Sequence, residues 1–308
     1  MADEGNFNRA AERLHIAQPP LSRAIQQFEA QVGAELLDRS SRPVRLTDVG
    51  RLLYAQARQI LARVEDVESM VRAAAGSERR RFVIGFVAST IYARLPELIR
   101  EFRKASDNVE LVMVESTTLD QIAALKEGRI DVGFGRIRFD DPAVQRVVLR
   151  EEKLVVALPM EHPLARTPGP VSLRELAGEP QIIYPRAPRP SYADQVLSLF
   201  RDHAIEPRIA HEARELQIAI GLVAAEEGIA IVPESVRFAR SHDLVFRDLL
   251  EKAASPIIMS HRAQDHSPEL SLMARIIARK YEDWGYDVPI ALARKGGAET
   301  VASSTELG

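Results

Sequence analysis

The chain has 308 residues, 46% of them apolar, a formal net charge of -3 and no cysteine. That length suits a small domain followed by a larger one, and the lack of cysteine excludes disulfides, thiolate metal sites and thiol redox chemistry. A weakly acidic chain does not coat nucleic acid nonspecifically; with no run approaching about 18 apolar residues and no basic leader ahead of an apolar core, a cytoplasmic protein without a membrane partner is expected.

Residues 6–33 read as two short helices joined by a tight turn. Phe7, Ala10, Ala11 and Leu14 recur at helical spacing behind Asn6, a capping residue. Pro19 and Pro20 suit the first turn of a second helix, whose buried face would carry Leu21, Ile25, Phe28 and Val32. Gln18, Ser22, Arg23 and Gln26 then lie near the N-terminal end of the opposite face, with Pro19 and Pro20 at the same end. A recognition helix presents side chains to base edges from that position, so double-stranded DNA is the expected partner. An ordinary helical hairpin inside a core would show the same spacing. Arg39, Arg42, Arg45 and Arg51 stand against only Asp48 in the following stretch, a local basic patch compatible with phosphate contacts.

Thr47 can cap a long helix running to about Ala75. Leu53, Ala57, Ile60, Val64, Val67, Val71 and Ala74 alternate at spacings of four and three along it, a heptad seam suited to pairing two subunits. The alternative is a long surface helix packed on its own core. Gly76-Ser77 and Glu78-Arg79-Arg80-Arg81 break the pattern and predict a hinge with solvated arginines.

Beyond it, strands alternate with helices. Strands are expected at Phe82–Val87, Val109–Glu115 and Ile130–Phe134, and helices at Thr90–Lys104 and Leu119–Glu127. A second series follows at Leu154–Leu158, Gln181–Tyr184, Tyr192–His203, Arg208–His211, Glu215–Glu226 and Ile229–Val232, then a strand at Pro256–His261 and a helix at Pro268–Trp284. Alternation of this kind predicts an α/β fold with a parallel sheet covered on both faces. The polar, Gly/Ser-rich end from about Tyr286 predicts disorder.

Signatures of catalysis fail. None of the seven histidines forms a metal-spaced pair, and Gly133-Phe134-Gly135 lacks the third glycine of a dinucleotide fingerprint. No enzyme, metal or cofactor is expected. Anion binding has better support: Ser89-Thr90, Thr117-Thr118 and Pro190-Ser191-Tyr192 each stand where a helix begins, and free N–H groups with nearby hydroxyls there suit one small anion. Each hydroxyl taken alone is equally a helix cap.

AAERLHIAQPPLSRAIQQFEAQVGAELLDR followed by RPVRLTDVG resembles the winged helix-turn-helix of the LysR-type transcriptional regulators. GFVAST, ESTTLDQIAALKEGRIDVGFGR, YPRAPRPSYADQV and ELQIAIGLVAAEEGIAIVP resemble the muconate-responsive regulators of catechol and benzoate degradation within that family, and the resemblance runs from about Gly5 to Trp284. It implies a winged helix-turn-helix over residues 1–47, with the wing inside Leu36–Leu46 and Arg39, Arg42 and Arg45 near the phosphates. A linker helix over 48–76 would pair subunits through Leu53, Ala57, Ile60, Val64, Val67 and Val71 in a homodimer or homotetramer, ahead of a hinge at 77–81. An effector domain over 82–285 would resemble periplasmic solute-binding proteins, with lobe I at 82–151 and 256–285, lobe II at 152–255 and a tail at 286–308. Ser89, Thr118, Pro190 and Tyr192 would line the effector site, joined by Arg136 and Glu215, which could equally form a structural ion pair. The implied function is activation of aromatic catabolic genes by cis,cis-muconate or a related dicarboxylate, with RNA polymerase as a further partner. The family carries a helix ahead of the one at Phe7, and only Met1–Gly5 stand in its place, so the chain is expected to be truncated at its start. The alternatives are a LysR-type regulator of another pathway with a different anionic effector, and a cytoplasmic solute-binding protein.

Overall fold

A computed structural model describes residues 1–74, 79–238 and 243–292. They divide into two compact units, one built on Met1–Val71 and the other holding almost all later residues.

In the first unit, α1 (Phe7–Arg13) starts at Asn6, whose Oδ1 accepts from the N–H groups of Asn8 and Arg9 at 2.8 and 3.2 Å. α2 (Gln18–Val32) carries its prolines in the first turn and ends at Gly33 in the left-handed conformation. Ala10, Ala11 and Leu21 form the core, with Met1, Phe7 and Ile25 packed around them. The expected apolar faces are only partly used, for Leu14, Phe28 and Val32 are 55%, 45% and 43% exposed. For Phe28 and Val32 the reason is length: at 1.5 Å rise per residue, α1 covers roughly half of α2. β1 (Leu37–Asp38) and β2 (Arg45–Leu46) pair antiparallel into the expected wing. Glu29 Oε1 accepts from the N–H groups of Leu36 and Leu37 at 2.9 and 3.2 Å, tying this ribbon to α2.

α3 (Asp48–Ala74) begins behind Thr47, whose Oγ1 accepts from Gly50 N–H at 2.9 Å. A Cβ on Gly50 would stand 2.0 Å from the Leu36 carbonyl oxygen, so only glycine allows this helix to reach the wing. On the heptad seam Leu53 and Ala57 are half-buried, whereas Ile60, Val64, Val67 and Val71 are exposed. The Ala74 side chain and residues 75–78 lie outside the described residues.

In the second unit, β3 (Arg80–Phe86) starts two residues earlier than expected. Arg80 and Arg81 are therefore strand residues; Arg81 is exposed as expected, whereas Arg80 is not a solvated linker residue but meets the buried carboxylate of Glu269 at 2.7 Å. The expected single helix after it is broken into α4 (Ala88–Tyr92) and α5 (Leu95–Ala105), with Arg94 at φ +67 between them. Pro96 explains the break, since its ring lacks an N–H and would clash with the Tyr92 carbonyl in a continuous helix. β4 (Val109–Glu115), α6 (Thr118–Lys126) and β5 (Val132–Gly135) complete a parallel β4-β3-β5 set. Phe82 and Ile84 enter one core and Val83 another, so both faces of β3 are buried.

β6 (Val144–Pro159) is three times the predicted strand. At roughly 3.3 Å per residue its 16 residues suffice to run through two lobes. α7 (Pro163–Arg166), α8 (Leu173–Leu176), β7 (Gln181–Ile183), α9 (Tyr192–Asp202), β8 (Ile209–Glu212), α10 (Leu216–Ala224) and β9 (Ala230–Pro233) follow. A 3-10 turn at Glu234–Phe238, β10 (Leu244–Asp248), β11 (Ala254–Arg262) and α11 (Pro268–Asp283) close the series; β10, α7 and α8 were not anticipated. The first part of β6 pairs antiparallel with β11, which also pairs with β5. The last part pairs with β9 and β10. Three cores result: residues between Leu154 and Ala253 build one, α5 and α11 seal one face of the other sheet, and α6 covers its opposite face. The predicted tail is ordered at its start, where Tyr286 and Val288 pack on the second core and Leu292 is buried. Residues 293–308 lie outside the described ones.

Candidate functional site

Two surfaces hold the expected site residues. On the first unit, Pro19, Pro20, Arg23 and Gln26 are exposed and Gln18 and Ser22 half-buried along the start of α2. Arg23, Arg42 and Arg45 are exposed, with no ion-pair partner among the described residues. Arg39 differs from them. Its guanidinium lies 2.5 Å from Glu29 Oε2 and over the Phe7 ring, so its charge is already compensated within the unit.

On the second unit, a cavity of about 740 Å³ opens where β3, β4 and β5 end against α6, α9 and α10. Ser89, Thr117, Thr118, Arg136, Pro190, Ser191, Tyr192 and Glu215 all line it. Thr90 does not, because its hydroxyl turns back to donate to the Val87 carbonyl at 2.7 Å. That expectation is corrected.

The lobe I wall is built close to its limits. A Cβ on Gly135 would meet Thr118 Oγ1 at 2.7 Å, and one on Gly133 would meet Gln121 Oε1 at 2.7 Å. The pair of glycines thus lets α6 press against the end of β5. Thr118 Oγ1 accepts from the Arg136 backbone N–H at 3.2 Å, and Ser89 Oγ accepts from Arg136 Nε at 2.6 Å. Each hydroxyl, engaged as an acceptor, keeps its own proton to donate. Thr117 is a cap: its Oγ1 accepts from the Asp120 N–H at 3.3 Å, and its hydroxyl donates to Asp120 Oδ2 at 2.7 Å.

Arg136 is the centre of this wall. Its Nη2 lies 2.5 Å from Glu152 Oε2, both side chains being 3% exposed, and Glu152 Oε1 accepts from Ser235 N–H at 2.8 Å. Glu215, considered as the ionic partner, is exposed and forms no cap bond, so the buried pair is Arg136–Glu152. Burial raises the Glu152 pKa, but the Arg136 charge and the bonds from Ser235 and Arg136 more than offset this, leaving it below the ordinary glutamate value. Arg136 Nη1 is buried without a hydrogen-bond partner among the described residues.

On the lobe II wall the hydroxyls are used internally. Ser191 donates its N–H to Asp194 Oδ2 at 2.6 Å and its hydroxyl to the Pro185 carbonyl at 3.2 Å. Tyr192 OH donates to the Ile231 carbonyl at 3.2 Å, so this hydroxyl serves the lobe core. What α9 still offers the cavity is backbone N–H in its first turn. The Tyr184 ring lies 5.1 Å from that of Tyr192, and burial pushes both phenols above their ordinary pKa. Glu152, Tyr184 and Gln195, whose Nε2 donates to the Arg136 carbonyl at 2.8 Å, were not anticipated as site residues. Glu152 sits in a charged run, Arg150-Glu151-Glu152-Lys153, that reads as surface, and nothing local distinguishes it.

Among the described residues no group of three or more metal-ligating side chains occurs, and no helix is long and apolar enough to cross a membrane.

Residues 1–51 match the family described as bacterial regulatory helix-turn-helix protein, lysR family, and residues 75–282 match the LysR substrate binding domain. The chain is 49% identical over 284 residues to the "Probable cat1 operon transcriptional activator" of Acinetobacter lwoffii, across 92% of this chain and 93% of the relative. It is 48% identical over 283 residues to the HTH-type transcriptional regulator CatR of Pseudomonas putida, across 92% of this chain and 96% of that one. The solved structure of the BenM effector binding domain with its effector benzoate is similar at a TM-score of 0.65 and 38% identity, across 70% of this chain and 97% of that chain. A DNA-reading segment ahead of the ligand lobes sets aside both an enzyme and a stand-alone solute-binding protein. The chain belongs to the LysR family of bacterial helix-turn-helix transcriptional regulators.

Proposed function

We propose that this chain is a cytoplasmic, self-associating activator of genes for aromatic-compound breakdown, answering to cis,cis-muconate or a close dicarboxylate. It binds operator DNA through α2 and the β1-β2 wing. α2 enters the major groove with Gln18, Ser22, Arg23 and Gln26 toward base edges, and Arg42 and Arg45 approach phosphates. The α3 seam pairs subunits, placing two readers on two half-sites, and RNA polymerase is engaged from the DNA-bound state.

The observation that carries the effector reading is the lobe I wall. Two hydroxyl protons, on Ser89 and Thr118, are free to donate at one cavity, with the buried Arg136 guanidinium bonded to Ser89 behind them. An anionic carboxylate accepts such donors. The other carboxylate of a dicarboxylate meets the first-turn N–H groups of α9. Hydrogen bonds to a charged group contribute about 1.5 to 3 kcal/mol each, so two at each end, less ordering costs, reach the roughly 8 kcal/mol of a micromolar ligand.

Calorimetry on the full chain tests this. Muconate should bind at micromolar concentration and benzoate, with one carboxylate, more weakly. Ser89→Ala and Thr118→Val should each weaken muconate binding while melting cooperatively. No heat at millimolar muconate, in a folded protein, rejects this effector and leaves the DNA-binding assignment standing.

A further inference from the structure

We propose that Gln195 is a positioning residue of the effector site, whose side-chain amide fixes the spacing of its two walls and so sets the length of dicarboxylate that bridges them. This rests on the cleft being the effector site, and adds to that reading the tie that holds the walls at one distance.

Gln195 is the fourth residue of α9, one turn along from Ser191 and so on the same helix face as the start that meets the second carboxylate. Both ends of its amide are used. Nε2 donates to the Arg136 carbonyl at 2.8 Å, and Oε1 accepts from Ser255 Oγ at 2.8 Å. The partners settle which way the amide faces, since a carbonyl can only accept. Ser255 is fully buried near the start of β11, just past Ala253, a residue of the lobe II core, and its register partner on β6 is Glu152. Glu152 in turn pairs with Arg136. These contacts close a ring from Gln195 through Arg136, Glu152 and Ser255, at the place where β6 leaves lobe I and β11 enters it.

Arg136 is the member of the ring that holds the effector wall. Its N–H and Nε bond Thr118 and Ser89, the two hydroxyls of lobe I, while its carbonyl holds Gln195. One residue therefore stands between the hydroxyls at one end of the ligand and the helix start at the other. Strands that pass between two lobes leave them free to hinge; a side-chain tie beside the crossing removes that freedom. A ligand that spans both walls gains hydrogen bonds at both ends only when their spacing matches its length, and a spacing held before binding spares the cost of ordering the walls. A ligand that engages one wall does not sense the spacing.

Gln195→Met keeps the length of the side chain and removes both bonds. In the full chain it should weaken cis,cis-muconate about tenfold by calorimetry, the equivalent of roughly one hydrogen bond, while benzoate, with one carboxylate, changes little. The spacing itself is read without ligand. The chain has no cysteine, so Arg103→Cys on α5 and Arg174→Cys on α8, both exposed, accept spin labels at one site in each lobe. Gln195→Met should broaden the distance distribution between them, measured by pulsed electron resonance with labelled chain diluted in unlabelled chain. Equal losses for muconate and benzoate, or an unchanged distribution, would make Gln195 a structural bond only and overturn the proposal. Should Gln195→Met fail to melt cooperatively, Ser255→Ala frees one end of the amide and is judged by the same two criteria. If the wild type itself shows no muconate heat, the muconate reading fails by itself, and the label distances still decide Gln195.

Discussion

Glu152→Ala should be among the most damaging single substitutions in the second unit. It leaves the Arg136 guanidinium, 3% exposed, without its counter-charge, and removes the acceptor of the Ser235 N–H. Breaking a buried ion pair by deleting one member costs about 3 to 5 kcal/mol, a large fraction of the roughly 5 to 15 kcal/mol that holds a domain together. The double variant Glu152→Ala/Arg136→Met should recover most of that loss, since replacing both charges leaves none uncompensated. The sole tryptophan, Trp284, caps α11 in this unit and reports its unfolding by fluorescence in urea. The pH dependence has a definite sign. The Glu152 pKa is lowered on folding, so its contribution is fully present above the unfolded glutamate value near about 4.3. It is lost as pH falls through the lower folded value. The difference between wild type and Glu152→Ala should therefore be constant at neutral pH and shrink in acid. A loss below about 1 kcal/mol at pH 7, typical of an exposed pair, would refute the argument that this pair is desolvated.

Three further outcomes test other parts of the molecule. Arg23→Ala should lose specific operator binding by more than nonspecific binding, a bidentate base contact being worth about 1 to 3 kcal/mol of discrimination; equal losses at one salt concentration would make Arg23 a phosphate contact. Ile60→Asp places a charge on the exposed α3 seam and should reduce the sedimenting mass while muconate still binds; an unchanged mass would show that subunits pair elsewhere. Gly135→Ala sets a Cβ 2.7 Å from Thr118 Oγ1, so it should cost about 1 to 3 kcal/mol of stability and weaken muconate binding as α6 retreats; a variant with wild-type affinity would show that the wall tolerates the shift.

The DNA reader was legible because its information is local. Helical spacing of Ala10, Ala11 and Leu21, the cap at Asn6 and the prolines opening α2 are chemistry that neighbouring residues settle among themselves. Thr47 before α3 and the strand at Val109–Glu115 belong to the same class. Local rules also misled where a distant partner decides: Arg80 reads as a solvated linker until Glu269 is placed beside it, and the charged first half of β6 reads as a loop until β11 pairs with it.

The sequence by itself determined that hydroxyl-bearing segments would start helices after strands, since a capping residue after a strand is a short-range pattern; the cleft they share was implied only by the resemblance. Which donors remain free was decided only by tertiary structure. The hydroxyls of Thr90, Ser191 and Tyr192 are consumed by the carbonyls of Val87, Pro185 and Ile231, whereas those of Ser89 and Thr118 are held as acceptors by Arg136. The partner of Arg136 is Glu152 because β6 passes through both lobes and carries that carboxylate to the cleft floor, sixteen residues away in sequence. A hydrogen bond's worth depends on whether its groups are otherwise satisfied and how far they are from water, and both are properties of the packed chain.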